Sequence, residues 1–203
     1  MKYLIVSYGS MARFRNVERL SKVTETCVMG VSGEYSDCQE LRKLLAKRTL
    51  RDHCMDDGHK MNPKEVYEYL TRLMYQRRNK LDPFWNAVVL GGVDEDGKPV
   101  LAYVDMYGTN FESEVVATGF GLYLGLPLLR KAYHKDITCA EAEKVLRDIM
   151  KVLYYRDTRT GNRIQIAQVT SEGAKVSEPF VVETEWNFEA FKKGSRRDDA
   201  SSW

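Results

Sequence analysis

Apolar residues recur along this chain with two alternating periods, and the order in which the periods change predicts its architecture. Val23 to Val31 and Ala87 to Val93 are short, rich in β-branched residues and closed by glycine, which predicts a strand at each. Asp94-Glu-Asp-Gly97 separates the second from another apolar run, Val100 to Val104, and Asp-Gly supplies the positive φ of a tight turn, so a hairpin is expected. Arg163 to Val169 alternates strictly, and Thr170-Ser-Glu-Gly173 turns it towards Ala174 to Val182, which predicts a second hairpin.

Between these runs the period lengthens to that of a helix. Tyr35, Cys38, Leu41, Leu44 and Leu45 fall on one stripe, with Arg42, Lys43, Lys47 and Arg48 on the remaining surface. Asn62-Pro63 followed by Glu65 is a helix start with a cap and a proline at the first position, and its stripe is Val66, Tyr69, Leu70, Leu73 and Met74. Thr138-Cys-Ala-Glu141 is a capping box that opens the stripe Ala142, Val145, Leu146, Ile149 and Leu153. Phe120 to Tyr133 is a further helical stretch, and Pro127 is expected to kink or restart it. Strands in hairpins and helices in pairs imply an α+β fold, with antiparallel sheets layered against helices, in one domain over residues 1–191. Lys192 to Trp203 is a polar tail.

Composition narrows the classes of function. The 203 residues carry 31 basic and 29 acidic side chains, a net charge of +2, which gives no electrostatic case for nucleic acid. The first eleven residues form too short an apolar run for a secretory signal, and no stretch approaches the roughly 18 apolar residues of a membrane span. With four scattered cysteines and no C-x-x-C pair, reduced thiols and an intracellular protein are expected.

Three generic sites are weaker than their bland alternatives. Gly30-Val-Ser-Gly33 is one residue short of G-x-S-x-G and has no triad beside it. Cys38, His53, Cys54 and His59 fit no zinc-finger spacing, and His59 reads as part of a polar loop. Arg72, Arg77, Arg78 and Lys80 lie near Tyr67, Tyr69 and Tyr75, but at helical spacing such aromatics line a core or a protein contact.

Ser7-Tyr-Gly-Ser-Met-Ala-Arg-Phe-Arg-Asn16, Asp57-Gly-His59, Pro83-Phe-Trp-Asn86, Gly108 with Ala117-Thr-Gly119, Leu126-Pro-Leu-Leu-Arg130 and Val152-Leu-Tyr-Tyr-Arg-Asp157 form an ordered set from Ser7 to about Trp186. On these motifs the chain resembles the proteasome β-type subunits. The resemblance implies the four-layer αββα sandwich of amino-terminal-nucleophile hydrolases, with helix pairs outside two antiparallel sheets. Active members of that family use a threonine at the mature amino terminus, whose own amine is the base.

Matched motif by motif, the family's acid falls on Tyr3, its pKa-lowering lysine on Arg19, its oxyanion glycine on Gly33, and its later acid and hydroxyl on Asp157 and Thr160. Arginine stays protonated and cannot relay a proton, so the expectation is a subunit that does not catalyse and needs no cofactor or metal. The usual first strand and the nucleophilic threonine have no counterpart in the sequence at hand, and Met1 to Val6 are expected to supply a replacement strand. Asp157 is then a turn-forming acid. The resemblance further implies partners, namely other α and β subunits in a four-ring hetero-oligomer, and a cytoplasmic and nuclear location in ubiquitin-dependent degradation. Trp186, Phe188 and Phe191, with Tyr154 and Tyr155, are residue types favoured at protein interfaces and are the interface candidates. The alternatives are an active threonine peptidase whose processed amino terminus precedes this sequence, and a free-standing homo-oligomeric binding protein.

Overall fold

Two antiparallel strand layers lie between two helical layers in the computed structural model, which describes residues 2–3, 6–8 and 11–189. The strands are β1 (Lys2–Tyr3), β2 (Val6–Tyr8), β3 (Met11–Phe14), β4 (Leu20–Thr24), β5 (Cys27–Gly33), β6 (Asn86–Val93), β7 (Pro99–Val104), β8 (Asn110–Glu112), β9 (Arg163–Gln165), β10 (Ala167–Thr170), β11 (Gly173–Val176) and β12 (Phe180–Val181). The helices are α1 (Tyr35–Met55), α2 (Pro63–Asn79), α3 (Leu126–Ala132) and α4 (Cys139–Arg156). The first layer is the sheet β4-β5-β6-β7-β8, the second is built from β1-β9-β12 and β10-β11, and β2-β3 is a separate two-stranded hairpin.

Helices α1 and α2 cover the outer face of the five-stranded sheet. Alternate residues of its strands, Cys27, Met29 and Val31 on β5 and Val88 and Leu90 on β6, meet Cys38, Leu41 and Leu45 from α1 and Val66, Leu70 and Met74 from α2 in one buried cluster. The approach is close because Gly92 lacks a side chain: a Cβ there would lie 2.5 Å from Pro63 Cγ. On the far side Ile149, Met150 and Leu153 of α4 pack with Ile164 and Val182 in a second cluster.

Both capping boxes form. Asn62 Oδ1 accepts from the Glu65 amide while Glu65 Oε2 accepts from the Asn62 amide, and Thr138 and Glu141 exchange the same two bonds. Thr138→Ala is expected to lower stability by about 1 kcal/mol, read as a shifted urea midpoint with an unchanged slope. Pro127 restarts a helix as expected: a π-helical turn, Gly121–Gly125, runs directly into α3, which has the proline in its first turn.

Three expectations need correction. Val23 to Val31 is two strands, because Glu25 and Thr26 form a turn between the paired residues Thr24 and Cys27. A continuous β-branched run hides that turn, which is locked from both sides: the Ala174 amide donates to Glu25 O at 2.7 Å and the Val93 amide to Thr26 O at 3.0 Å. Arg163 to Val169 is interrupted at Ile166, whose amide donates to the Ser177 hydroxyl and not to a strand carbonyl, and the same irregularity divides Ala174 to Val182. Strand β8 was not expected from the sequence. It pairs with β7, where Phe111 stacks on Tyr103 with ring centroids 4.9 Å apart.

Lys2–Tyr3 pairs with Gln165 and Ile164, so the start of the chain does contribute a short strand. Phe191 and the tail from Lys192 to Trp203 lie outside the described residues.

Candidate functional site

Of the residues matched to catalytic positions, Arg19 and Gly33 lie at the same end of the first sheet. Arg19 immediately precedes β4 and Gly33 closes β5. Arg19 Nη1 donates to Gly33 O at 3.0 Å, and its guanidinium stands 5.7 Å from the centre of the Tyr35 ring. Burial draws the Arg19 pKa below the ordinary arginine value, a pull opposed by the field of Cys38, Tyr35 and Glu34. A charge held this way serves as a brace across the mouth of the β4–β5 pair.

Gly33 has φ +96°, and an added Cβ would sit 2.1 Å from Trp85 O. Asn86, buried at the start of β6, fixes the neighbouring peptides: its Nδ2 donates to Ser32 O at 3.0 Å and to Glu34 O at 2.8 Å. Asn86 was not among the site residues expected from the sequence, yet it builds this corner. The available signal was a lone amide opening an otherwise apolar strand, which must find partners when buried. Glu34 caps α1, and its carboxyl is held below the ordinary glutamate range, first by the Ser36 amide and then by the Ser36 hydroxyl. The depressed pKa makes this cap fully effective above the unfolded pKa near 4.5 and progressively lost as pH falls through the folded value.

Asp157 and Thr160 form a second local group. Asp157 is the C-cap of α4, its Oδ1 accepts from the Arg159 amide at 2.9 Å, and its carbonyl accepts from the Thr160 hydroxyl at 2.8 Å. The geometry is that of a side-chain-capped turn. Both residues line a cavity of about 230 Å³ with Ala117, Gly121, Met150 and Leu153, and neither Arg19 nor Gly33 borders it. Asp157→Asn is expected to change stability by no more than about 1 kcal/mol, since the amide oxygen still accepts from Arg159, whereas Asp157→Ala loses about 1–2 kcal/mol in denaturant titrations.

Three of the interface candidates, Tyr154, Tyr155 and Trp186, cluster together. Trp186 makes edge contacts with Tyr154 and Tyr155, at centroid distances of 5.8 and 5.0 Å, and Tyr155 Oη both donates to Glu185 O and accepts from the Glu185 amide. Residues 184–186 are thereby fastened along the end of α4. Trp186 nonetheless stays 58% exposed and Phe188 45% exposed.

The generic candidates are placed elsewhere. Ser32 lies within β5, its hydroxyl donating to Ala87 O, and not on a strand-to-helix elbow. Cys38 and Cys54 stand at opposite ends of α1, on the order of 24 Å apart at 1.5 Å per residue. His59 Nε2 sits 3.1 Å from Glu65 Oε2 in the loop before α2. Tyr67 is buried, its hydroxyl donating to Asn110 Oδ1, and Tyr69 packs on the same core. Among the described residues no helix is long and apolar enough to cross a membrane.

A family model described as proteasome subunit matches residues 5–169. The chain belongs to the proteasome subunit family. Within it the resemblance is to one branch. This proteasome chain is 45% identical to proteasome subunit beta type-4 of Arabidopsis thaliana over 197 residues, covering 97% of this chain and 79% of the relative. It is 44% identical to proteasome subunit beta type-4 of Xenopus laevis over 185 residues, covering 90% and 76% respectively. With proteasome subunit beta type-7 of Saccharomyces cerevisiae it shares 37% identity over 199 residues, 93% of this chain and 75% of that one. The layered helices and antiparallel sheets are those expected of a proteasome subunit.

Proposed function

We propose that this chain is a non-catalytic structural β subunit of the proteasome core particle, serving ubiquitin-dependent degradation in the cytoplasm and nucleus. Its work is to occupy one place in a four-ring hetero-oligomer of α and β subunits and to hold its neighbours in register. The supporting observation is Arg19: the position matched to the family's proton-relaying lysine carries a group that stays protonated and is braced on Gly33 O. Asp157, which accepts from the Arg159 amide through its carboxylate and from the Thr160 hydroxyl through its carbonyl, acts in the same reading as part of a turn that ends α4.

The test is native mass spectrometry of material purified through a tag on the full chain, followed by a threonine-directed epoxyketone probe on the same preparation. The reading expects a hetero-oligomer of proteasome subunits in which other chains take up the probe and this one does not. Recovery as a monomer or homo-oligomer overturns the assembly role. Probe attached covalently to this chain overturns the non-catalytic role alone.

A further inference from the structure

Two residues other than glycine have positive φ among the described residues, Asp56 at 49° and Leu81 at 56°. Asp56 is the left-handed C-cap of α1, a conformation that aspartate tolerates because its short side chain bonds locally. Leucine has no such compensation.

The end of α2 shows why position 81 takes this conformation. The Lys80 cap is followed by two bonds that reach back into the helix, from the Leu81 amide to Arg78 O at 3.0 Å and from the Asp82 amide to Arg77 O at 3.1 Å. These are the paired bonds of a Schellman ending, and Leu81 stands where that motif ordinarily requires glycine. Arg77 reinforces the turn by pairing with Asp82 at 2.9 Å and stacking 4.4 Å over the Phe84 ring, and Pro83 follows. The loop is therefore rigid, and its leucine is 93% exposed.

An exposed leucine alone needs no explanation. A leucine at positive φ, strained by its Cβ and burying almost nothing in its own chain, gains no compensating stability from that chain. We propose that Leu81 is an assembly contact, inserted into an apolar socket on a neighbouring proteasome subunit. The inference rests on the hetero-oligomeric reading above. Charge specifies the socket further. Arg78 and Lys80 flank the leucine, both are exposed, and neither makes an ion pair among the described residues, so the complementary rim is acidic.

The two demands on position 81 oppose each other, which gives the test. Full-length Leu81→Gly and Leu81→Asn, each co-expressed with tagged wild-type neighbours and an untagged wild-type competitor, are scored by the ratio of variant to wild-type peptide in the purified particle. Thermal melting of each full chain is measured in parallel. Leu81→Gly is expected to raise the melting midpoint by about 2–4 °C and yet to enter particles roughly five- to thirtyfold less often than wild type. Leu81→Asn is expected to show the same incorporation defect, while Leu81→Met, which keeps an apolar side chain, enters within about twofold of wild type. Incorporation of the glycine and asparagine variants at parity overturns the proposal while the assembly reading stands. A lower melting midpoint for Leu81→Gly overturns the strain argument, and absence of the wild-type chain from any hetero-oligomer overturns the assembly reading and the contact with it.

Discussion

Replacing Gly33 with alanine is expected to destabilise the chain by about 3–5 kcal/mol. Two costs combine at this position. The backbone has φ +96°, where an L residue is strained whatever space surrounds it. The new methyl also meets Trp85 O at 2.1 Å, and that oxygen cannot retreat, because it accepts from the Glu34 amide beside the Gly33–Asn86 register of β5 and β6. Equilibrium urea unfolding of the full chain measures the loss, with Gly91→Ala as the control. Gly91 is in the same sheet, has no positive φ and has nothing within 4 Å of an added Cβ, so its substitution should shift stability by less than about 1 kcal/mol. Comparable midpoints for the two variants would remove Gly33 from the list of positions fixed by packing.

Leu70→Ala is expected to cost about 3–5 kcal/mol. Leu70 is fully buried at the centre of the stripe that α2 turns towards the five-stranded sheet, between Val66 and Met74. Sheet strands support it on one side and α2's own backbone on the other, so the site collapses little when the side chain is shortened. Leu70→Met should cost less than about 1.5 kcal/mol, because volume is conserved and the thioether can follow the gap. A fall in stability below about 1 kcal/mol for the alanine variant would show that α2 settles onto the sheet and that the layer is softer than its burial implies.

How much of this was legible beforehand differs by element. Helices α2 and α4 were readable because their signals are local: a capping residue and a carboxylate three places on announce the start, and the apolar stripe fixes the buried face. The breaks in strands were not readable. At Glu25–Thr26 the turn is held by carbonyl acceptors serving Ala174 and Val93, residues far away in the chain, and at Ile166 the ladder is replaced by the Ser177 hydroxyl. Neither partner is visible from the run itself, and the β-branched residues around each break argue for continuity. The candidate site was legible as positions through its resemblance to a family. What Arg19 does in this chain was not, since its acceptor is the carbonyl of a residue fourteen places on. The left-handed Leu81 was invisible for the opposite reason, since residue preference argues against leucine at the end of a helix in that conformation.

The Glu25–Thr26 turn also sets how the two strand layers can move against each other. One of its carbonyls is bonded into β11 of the second layer and the next into the last residue of β6 in the first, so two successive peptide groups link the layers. Sliding one layer over the other would break the bond from the Ala174 amide to Glu25 O at the outset. The turn is thus a pin: it fixes the lateral position of β11 against the β4–β5 hairpin, and any slip of one layer over the other at this point has to begin by breaking it.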